Sequence, residues 1–339
     1  MAPIRKRVSL RQVAQQAGVS VTSASIILNK SGNYAKMSDE TIARVRQVAK
    51  ELGYRPNHAA KALRQRSSMQ IGLVIPNIHN SFMQPLILET SKAARDHKYN
   101  TILFDMTDQT DDEIRAQLTE LQQSANVDGL IIHGMGEVVY DVVNQVPAVY
   151  IDSRSCTPSV CYSEEQAGYD LAQVFLTQGL HHIAFIGGDV ERESFALREA
   201  GFRRAFAEKG LDVAEDLFGY FPISIPGGAA AFNWLQGKEK LPDAAVILTD
   251  AMAYGFMLEA KNKGVRIPED IGVASADDLE MSALFHPSLT CAKVDISTIC
   301  RIAVDTLFDY IKNGTAPDNC TVPTTMILRR SSQKTAQTK

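Results

Sequence analysis

Ser9-Leu10-Arg11-Gln12-Val13-Ala14-Gln15-Gln16-Ala17-Gly18-Val19-Ser20 opens as a helix and closes as a turn. Ser9 with Gln12 three residues on is a capping-box pattern. Leu10, Val13, Ala14 and Ala17 recur at helical spacing. Gly18 ends that helix, and after a three-residue turn Ser20 is placed to cap a second, Val21 to Leu28. Two helices joined by a tight Gly-containing turn form a helix-turn-helix. A polar loop, Asn29 to Met37 with Gly32 in it, follows. Ser38 then caps a third helix whose Ile42, Val45, Ala49 and Leu52 share one face. Gly53 suits a left-handed terminator, and Pro56 blocks continuation. Three short helices with one apolar face close a small core. Asn57 to Arg66, with Ala59, Ala60, Ala62 and Leu63, favours helix but is too short to be stable alone. Ser67-Ser68 ends it.

Beyond Ser68 the period changes. Apolar runs of strand length (Ile71–Ile75, Thr101–Phe104, Gly129–Ile132, Ala148–Ile151) alternate with helical stretches near 82–97 and 111–124. A second series runs through Ile183–Ile186, Ala245–Leu248 and Ile271–Ala274, with helices near 196–209, 228–237, 251–263 and 297–312. Near-continuous apolar strands alternating with helices mean parallel sheets covered on both faces. Two such series predict two doubly wound lobes, whose ligands bind beyond the carboxyl ends of the strands. Polar residues just after strands are therefore the first candidates.

Composition agrees. At 339 residues the chain is too long for one ordinary core, and 45% apolar with 22% charged residues is a globular balance. No run of about 18 apolar residues predicts a transmembrane helix. The basic start Arg5-Lys6-Arg7 leads into no apolar stretch of the kind a secretory signal needs, so a cytoplasmic location is expected. The five cysteines, Cys156, Cys161, Cys291, Cys300 and Cys320, are odd in number and lack CxxC spacing. Reduced thiols are expected rather than a disulfide framework or zinc site. The net charge of −4 hides an asymmetry. Residues 1–66 hold 13 Lys/Arg against 3 Asp/Glu, a balance of +10, and the remainder carries −14. A small basic head on an acidic body is an electrostatic footprint for a polyanion.

Together these residues resemble a known family. Val13-Ala14-x-x-Ala17-Gly18-Val19-Ser20, Leu28-Asn29, Leu52-Gly53-Tyr54-Arg55-Pro56-Asn57, Ala60 and Ala62-Leu63-Arg64 stand in order in the head. Ile71–Asn77, Leu197-Arg198-x-x-Gly201-Phe202, Asp277-Asp278, His286-Pro287-Ser288-Leu289-Thr290 and Leu328-Arg329-x-Ser331-Ser332 follow. The chain is similar over nearly its whole length to transcription regulators of the lactose-repressor/galactose-repressor (LacI/GalR) family. The resemblance implies an all-α helix-turn-helix headpiece over 1–56 and a hinge helix and linker over 57–68. It further implies a periplasmic-binding-protein-like α/β core over 69–339, made of two doubly wound parallel-sheet lobes. The N-lobe is expected at about 69–164 plus 295–325, the C-lobe at about 165–294 plus 326–339. It implies a homodimer on double-stranded operator DNA, a small effector in the cleft, no cofactor and no membrane partner.

By this resemblance Val21–Asn29 is the recognition helix, with Val21 and Thr22 reaching base edges in the major groove. Ser20, Ser25 and Asn29 are assigned to phosphates, as is Arg11, which can alternatively reach the groove. Ile26 stands where many members carry a base-reading Arg, so a bidentate guanine contact is missing and operator preference should differ. Lys30, Tyr34 and Lys36 can add phosphate contacts. Tyr54, Asn57, Ala60 and Lys61 complete the DNA-facing set around Leu63, the family's minor-groove wedge, with Arg64 beside it. In the core, Asp152, Arg198 and Asp277 match effector-binding positions. Asn77, Phe82, Phe221 and Thr249 are added as strand-end or ring-covering candidates, with Ser81, Arg154, Tyr220 and Asp250 nearby. Carboxylates and a guanidinium suit adjacent hydroxyls, because each fixes two hydrogen bonds. A sugar or sugar phosphate is the leading effector class and a purine or nucleoside the second.

Three departures stand out: Ser163-Glu164 replaces the usual Asp-Asn, Leu180 separates Gly179 from His181, and Thr249 replaces Asn. His181-His182 makes a poor chelate, since strand neighbours point to opposite faces. No P-loop, GxSxG or HExxH motif is present. The polar tail lacks a Leu heptad, which argues against a coiled-coil tetramer. A solute-binding protein with an accessory head and an α/β enzyme using the same cleft are the alternatives; DNA binding and ligand turnover discriminate them.

Overall fold

The computed structural model describes residues 8–29, 37–54, 67–123, 127–188 and 192–333. The chain divides into two compact units, Met1–Ser68 and Met69–Lys339. In the first, α1 (Leu10–Ala17), α2 (Val21–Asn29) and α3 (Asp39–Glu51) surround one core. Val13, Ala24, Ile27 and Val45 are fully buried in it. The ends are set by side chains. Ser9 Oγ accepts from Gln12 N while Ser9 N donates to Gln12 Oε1, which completes the capping box. Ser20 Oγ accepts from Ser23 N at 3.0 Å, and Ser38 Oγ caps α3. Gly18 takes φ +63°, the left-handed turn between α1 and α2 that a Cβ would strain. Asn57, Ala60, Lys61 and Leu63, with Lys30, Tyr34, Lys36 and Arg64, lie outside the described residues.

The second unit holds two six-stranded sheets. The first contains β1 (Gln70–Ile75), β2 (Asn100–Asp105), β3 (Gly129–His133), β4 (Ala148–Ile151), β5 (Ser159–Tyr162) and β11 (Cys320–Val322). Their order is β11-β5-β4-β3-β1-β2, every neighbour parallel. The second contains β6 (Ile183–Gly188), β7 (Phe218–Phe221), β8 (Ala244–Ile247), β9 (Gly272–Asp277), β10 (Thr290–Lys293) and β12 (Thr325–Ile327). Its order is β12-β10-β9-β8-β6-β7, with only β12 antiparallel. Helices α4 (Met83–Asp96), α5 (Asp111–Gln123), α6 (Gly136–Val139) and α12 (Ile296–Asn313) belong to the first lobe. Helices α7 (Glu164–Leu176), α8 (Glu193–Ala207), α9 (Ile225–Gln236), α10 (Asp250–Asn262) and α11 (Glu280–Leu284) belong to the second. The chain crosses between lobes three times: after β5, after β10, and between β11 and β12.

The central strands β1, β3, β4 and β8 are buried almost along their whole length because helices cover both faces. Ile71, Leu73, Val74 and Ile75 are all 0% exposed, so β1 shows no alternation. The switch points follow from the order. In the first lobe β1 lies between β2 and β3, and in the second β6 lies between β7 and β8. Chain direction around the sheet reverses there, leaving a crevice at the strands' carboxyl ends. His181 and His182 precede β6 rather than lying in it, so the strand argument against a chelate does not apply to them as stated. All five cysteines are free thiols.

Candidate functional site

The head presents its second helix outward at its N-terminal end. Val21 is 44% exposed and Thr22 is exposed, while Ala24 and Ile27 face the core. Helical spacing therefore leaves the first turn free to enter a groove. Arg11 is exposed. Asn29 Nδ2 donates to the Ser25 carbonyl at 2.8 Å, so part of its capacity serves the helix itself. Ile26 is half-buried and Tyr54 packs against the head core.

In the larger unit a cavity of about 580 Å³ opens at the strands' carboxyl ends. Six of the seven sequence-predicted core residues line it: Asn77, Phe82, Asp152, Arg198, Thr249 and Asp277. Phe221 does not line it; its ring packs edge-on to Trp234 at 5.7 Å between centroids, against the second lobe's core. The reason is the pleat at the end of β7, the outer strand of its sheet. Its neighbour Tyr220 donates instead to Glu199 Oε2 at 2.9 Å. Apolar cover comes from Pro222 and Ile223, just beyond the strand. Asp250 is withdrawn as well: it is fully buried and accepts from Ser275, Ser282 and Leu279 N, tying α10 to β9 and the segment after it. Thr249 Oγ1 lies 3.5 Å from Met252 N as the cap of α10.

Arg198 is the floor of the cavity. It is 4% exposed, on α8, and pairs through Nε and Nη2 with Glu164, itself 1% exposed at the start of α7. Nη1 donates to the Leu248 carbonyl at 2.5 Å, and Nη2 lies 3.5 Å from Asp277 Oδ1. Burial disfavours this guanidinium's charge, but Glu164 and Asp277 outweigh that and raise its pKa. Burial likewise pushes the carboxyls of Glu164 and Asp277 up, against the pull of Arg198. Asp277 sits at φ +114° and Asp278 at +61°, a strained turn held by the Asp250 bonds. Asp152, also at positive φ (+59°), is half-buried. Desolvation of its carboxyl, then the Glu164 charge, push it up to about 7 against the Arg198 charge and hydrogen bonds from Ser194 and Tyr162.

Sequence reasoning missed His133. It closes β3, is 6% exposed and lines the cavity. Neither ring nitrogen has a hydrogen-bond partner. Burial, with the Arg192 charge, pushes the imidazole down to about 3, so it is neutral at ordinary pH. A strand-final histidine at a switch point was the available signal. Phe82 leans over it at 5.7 Å and over Tyr162 at 6.2 Å between centroids. The N-terminal end of α8 meets the first lobe. Arg192 Nη1 donates to the Gly134 carbonyl at 2.6 Å, and Glu193 Oε2 accepts from Arg154 N at 3.1 Å.

The head and this two-lobed cleft define a class: a DNA-binding regulator with a ligand-binding core. Residues 9–57 match the bacterial regulatory proteins of the lacI family, and 172–332 match the periplasmic binding protein-like domain. Catabolite control protein A of Priestia megaterium is 29% identical over 317 residues, 91% of this chain and 94% of the relative. The HTH-type transcriptional regulator GalS of Salmonella typhimurium is 28% identical, covering 88% of each chain. The lac repressor dimer bound to operator and an anti-inducer has the same fold, with a TM-score of 0.87 at 23% identity over 96% of this chain and 99% of that one. The head thus matches the lacI-family model and the core the periplasmic binding protein-like model, the relatives are regulators of the LacI/GalR kind, and the chain is a DNA-binding transcriptional regulator. Its relatives are regulators, not enzymes. No helix among the described residues is long and apolar enough to cross a membrane.

Proposed function

We propose that the chain is a repressor that binds a near-palindromic operator as a homodimer, in the cytoplasm, and is switched by a small molecule in the Asp152–Arg198–Asp277 cavity. The observation that carries this is the outward first turn of α2, with Val21 and Thr22 exposed beside the Ser20 cap on a self-contained head. The basic balance of residues 1–66 supplies the phosphate term, and Ser20, Ser25, Asn29 and Arg11 set the register. The solved lac repressor relative is a dimer on its operator, and the regulator CelR, of the same fold, is a complex with cellobiose. A sugar or sugar phosphate is therefore the leading effector class, a purine or nucleoside the second. A change in lobe angle on binding alters the ordering of segment 57–68, and with it the spacing of two heads. Leu63 then acts as the central wedge, flanked by Lys61 and Arg64, with Asn57, Ala60 and Tyr54 alongside.

Selection of bound duplexes from a random pool at one stated salt concentration tests the reading. Enrichment of a palindrome with a kinkable centre supports it. No enrichment by a folded dimer contradicts it and favours the solute-binding alternative. On the enriched site, Leu63→Ala should weaken specific binding far more than nonspecific binding; equal losses remove the wedge.

A further inference from the structure

This inference rests on the cavity reading above and names the chemical class of its ligand. Arg198 has five N–H donors. Nε and Nη2 are taken by Glu164, Nη1 by the Leu248 carbonyl, and the other Nη2 hydrogen faces Asp277. A single Nη1 hydrogen is left, on a guanidinium whose charge two carboxylates already offset. The cavity's other cation, Arg192, directs Nη1 to the Gly134 carbonyl. What stays open inside is of the opposite kind. The Asp152 and Asp277 carboxyl groups line the cavity, and His133 is nine-tenths buried with two unpartnered ring nitrogens. A neutral imidazole accepts at one nitrogen and donates at the other, which a hydroxyl satisfies from either side. Phe82, Tyr162, Pro222 and Ile223 supply apolar walls of the kind that cover a ring's carbon face.

We propose that Glu164 withdraws Arg198 from anion recognition, so that the cavity takes an uncharged ligand carrying several hydroxyls and rejects its phosphorylated or carboxylated counterpart. An entering phosphate meets one spare guanidinium hydrogen while facing Asp152 and Asp277. A vicinal diol meets two carboxyl groups, each with an oxygen that accepts from a hydroxyl whether or not the group holds its proton. The departure at Ser163-Glu164 thereby acquires a function: a carboxylate placed there binds the arginine that would otherwise be offered to the ligand.

The test is titration calorimetry, with thermal shift, on the full-length chain at constant ionic strength. The probes are D-glucose, D-galactose, D-ribose, maltose and cellobiose, with glucose 6-phosphate, ribose 5-phosphate, gluconate and hypoxanthine. Binding is expected among the uncharged sugars, at least about tenfold tighter than any anionic probe. Glu164→Gln keeps the shape and removes the charge, and should narrow that ratio to within about threefold by strengthening the phosphate esters. If that variant does not fold, Asp277→Asn must shift the ratio the same way. Tighter binding of a phosphate ester or of hypoxanthine by the wild type overturns the proposal, as does an unchanged ratio in the folded variant. A phosphate ester whose binding is lost in Asp152→Asn overturns the ligand class but keeps the cavity. No binding by any probe, or binding insensitive to Asp152→Asn, removes the cavity reading and this inference together.

Discussion

His133 and Asp152 are displaced from their ordinary pKa values in ways that give opposite pH dependences. Unfolded, His133 titrates near 6.5; folded, it is held at about 3. Between those values unfolding takes up a proton, so stability falls as pH drops below 6.5. Asp152 moves from 3.8 to about 7, so the folded state holds the proton and stability falls as pH rises from about 4 to 7. In the wild type the two slopes oppose each other from pH 4 to 6.5. Relative to it, His133→Asn should lose Tm as pH is raised across that window, and Asp152→Asn should gain it, each by up to about 1.4 kcal/mol per pH unit. Curves that tilt the same way in both variants contradict the assignment. The Arg198–Glu164 pair gives a second residue-scale expectation. Arg198→Met leaves Glu164 buried without its partner and should cost about 3–5 kcal/mol in denaturant unfolding. A cost near zero would mean the pair is dispensable to the frame. Asn77, Asp152, Thr249 and Asp277 fall together at the cavity because they stand at or just after strand ends, which the strand pattern makes predictable, whereas Arg198, inside α8, came from the family resemblance alone. His133 was not legible, since its significance lies in lacking a partner. Phe221 was misplaced because a pattern of alternating faces leaves the outermost residue of an edge strand undetermined.

Among the helices, the packing of α7 on α8 depends on two glycines. A Cβ on Gly168 would overlap the Arg198 carbonyl, and one on Gly201 the Glu165 carbonyl. The backbones therefore cross in direct contact, and that contact brings Glu164 and Arg198 together. The signature spacing from Arg198 to Gly201 thus has a steric reason. Gly201→Ala should destabilise by about 1–3 kcal/mol through overpacking and weaken ligand binding, read by Tm and calorimetry. An unchanged Tm would show that the helices separate without cost. The same device recurs between α9 and α10 at Gly228 and Gly255. In the head, Ser20→Ala should cost about 1 kcal/mol of stability through its lost cap. Thr22→Ala should leave Tm unchanged while relaxing discrimination at one base position by about 1–3 kcal/mol, measured on the selected duplex and its single-base variants. A loss of Tm in Thr22→Ala would place that side chain in the fold rather than at the groove. Caps and terminators in the head were legible because they are local. The short strands β5, β7, β10, β11 and β12 were not, since each is only three or four residues long and, unlike the equally short β4 and β8, breaks its apolar run with a polar residue or glycine.

Over the whole core, two lobes share three chain crossings and meet across the cavity through Arg192 on Gly134 and Glu193 on Arg154. A ligand touching Asp152 from one lobe and Asp277 from the other makes contacts whose strength depends on the lobe angle, which is the requirement for shifting an equilibrium. The parallel architecture was legible from the alternation of apolar runs and helices; the crossings were not, because they depend on which sheet a three-residue strand joins. The central claim is that cavity occupancy changes operator grip. The direct measurement is the affinity of the full chain for its selected duplex, at fixed salt, with and without a saturating cavity ligand. The account predicts a change in Kd of about 5- to 150-fold, abolished by Asp152→Asn. A ligand that binds the cavity and leaves operator affinity unchanged would contradict it.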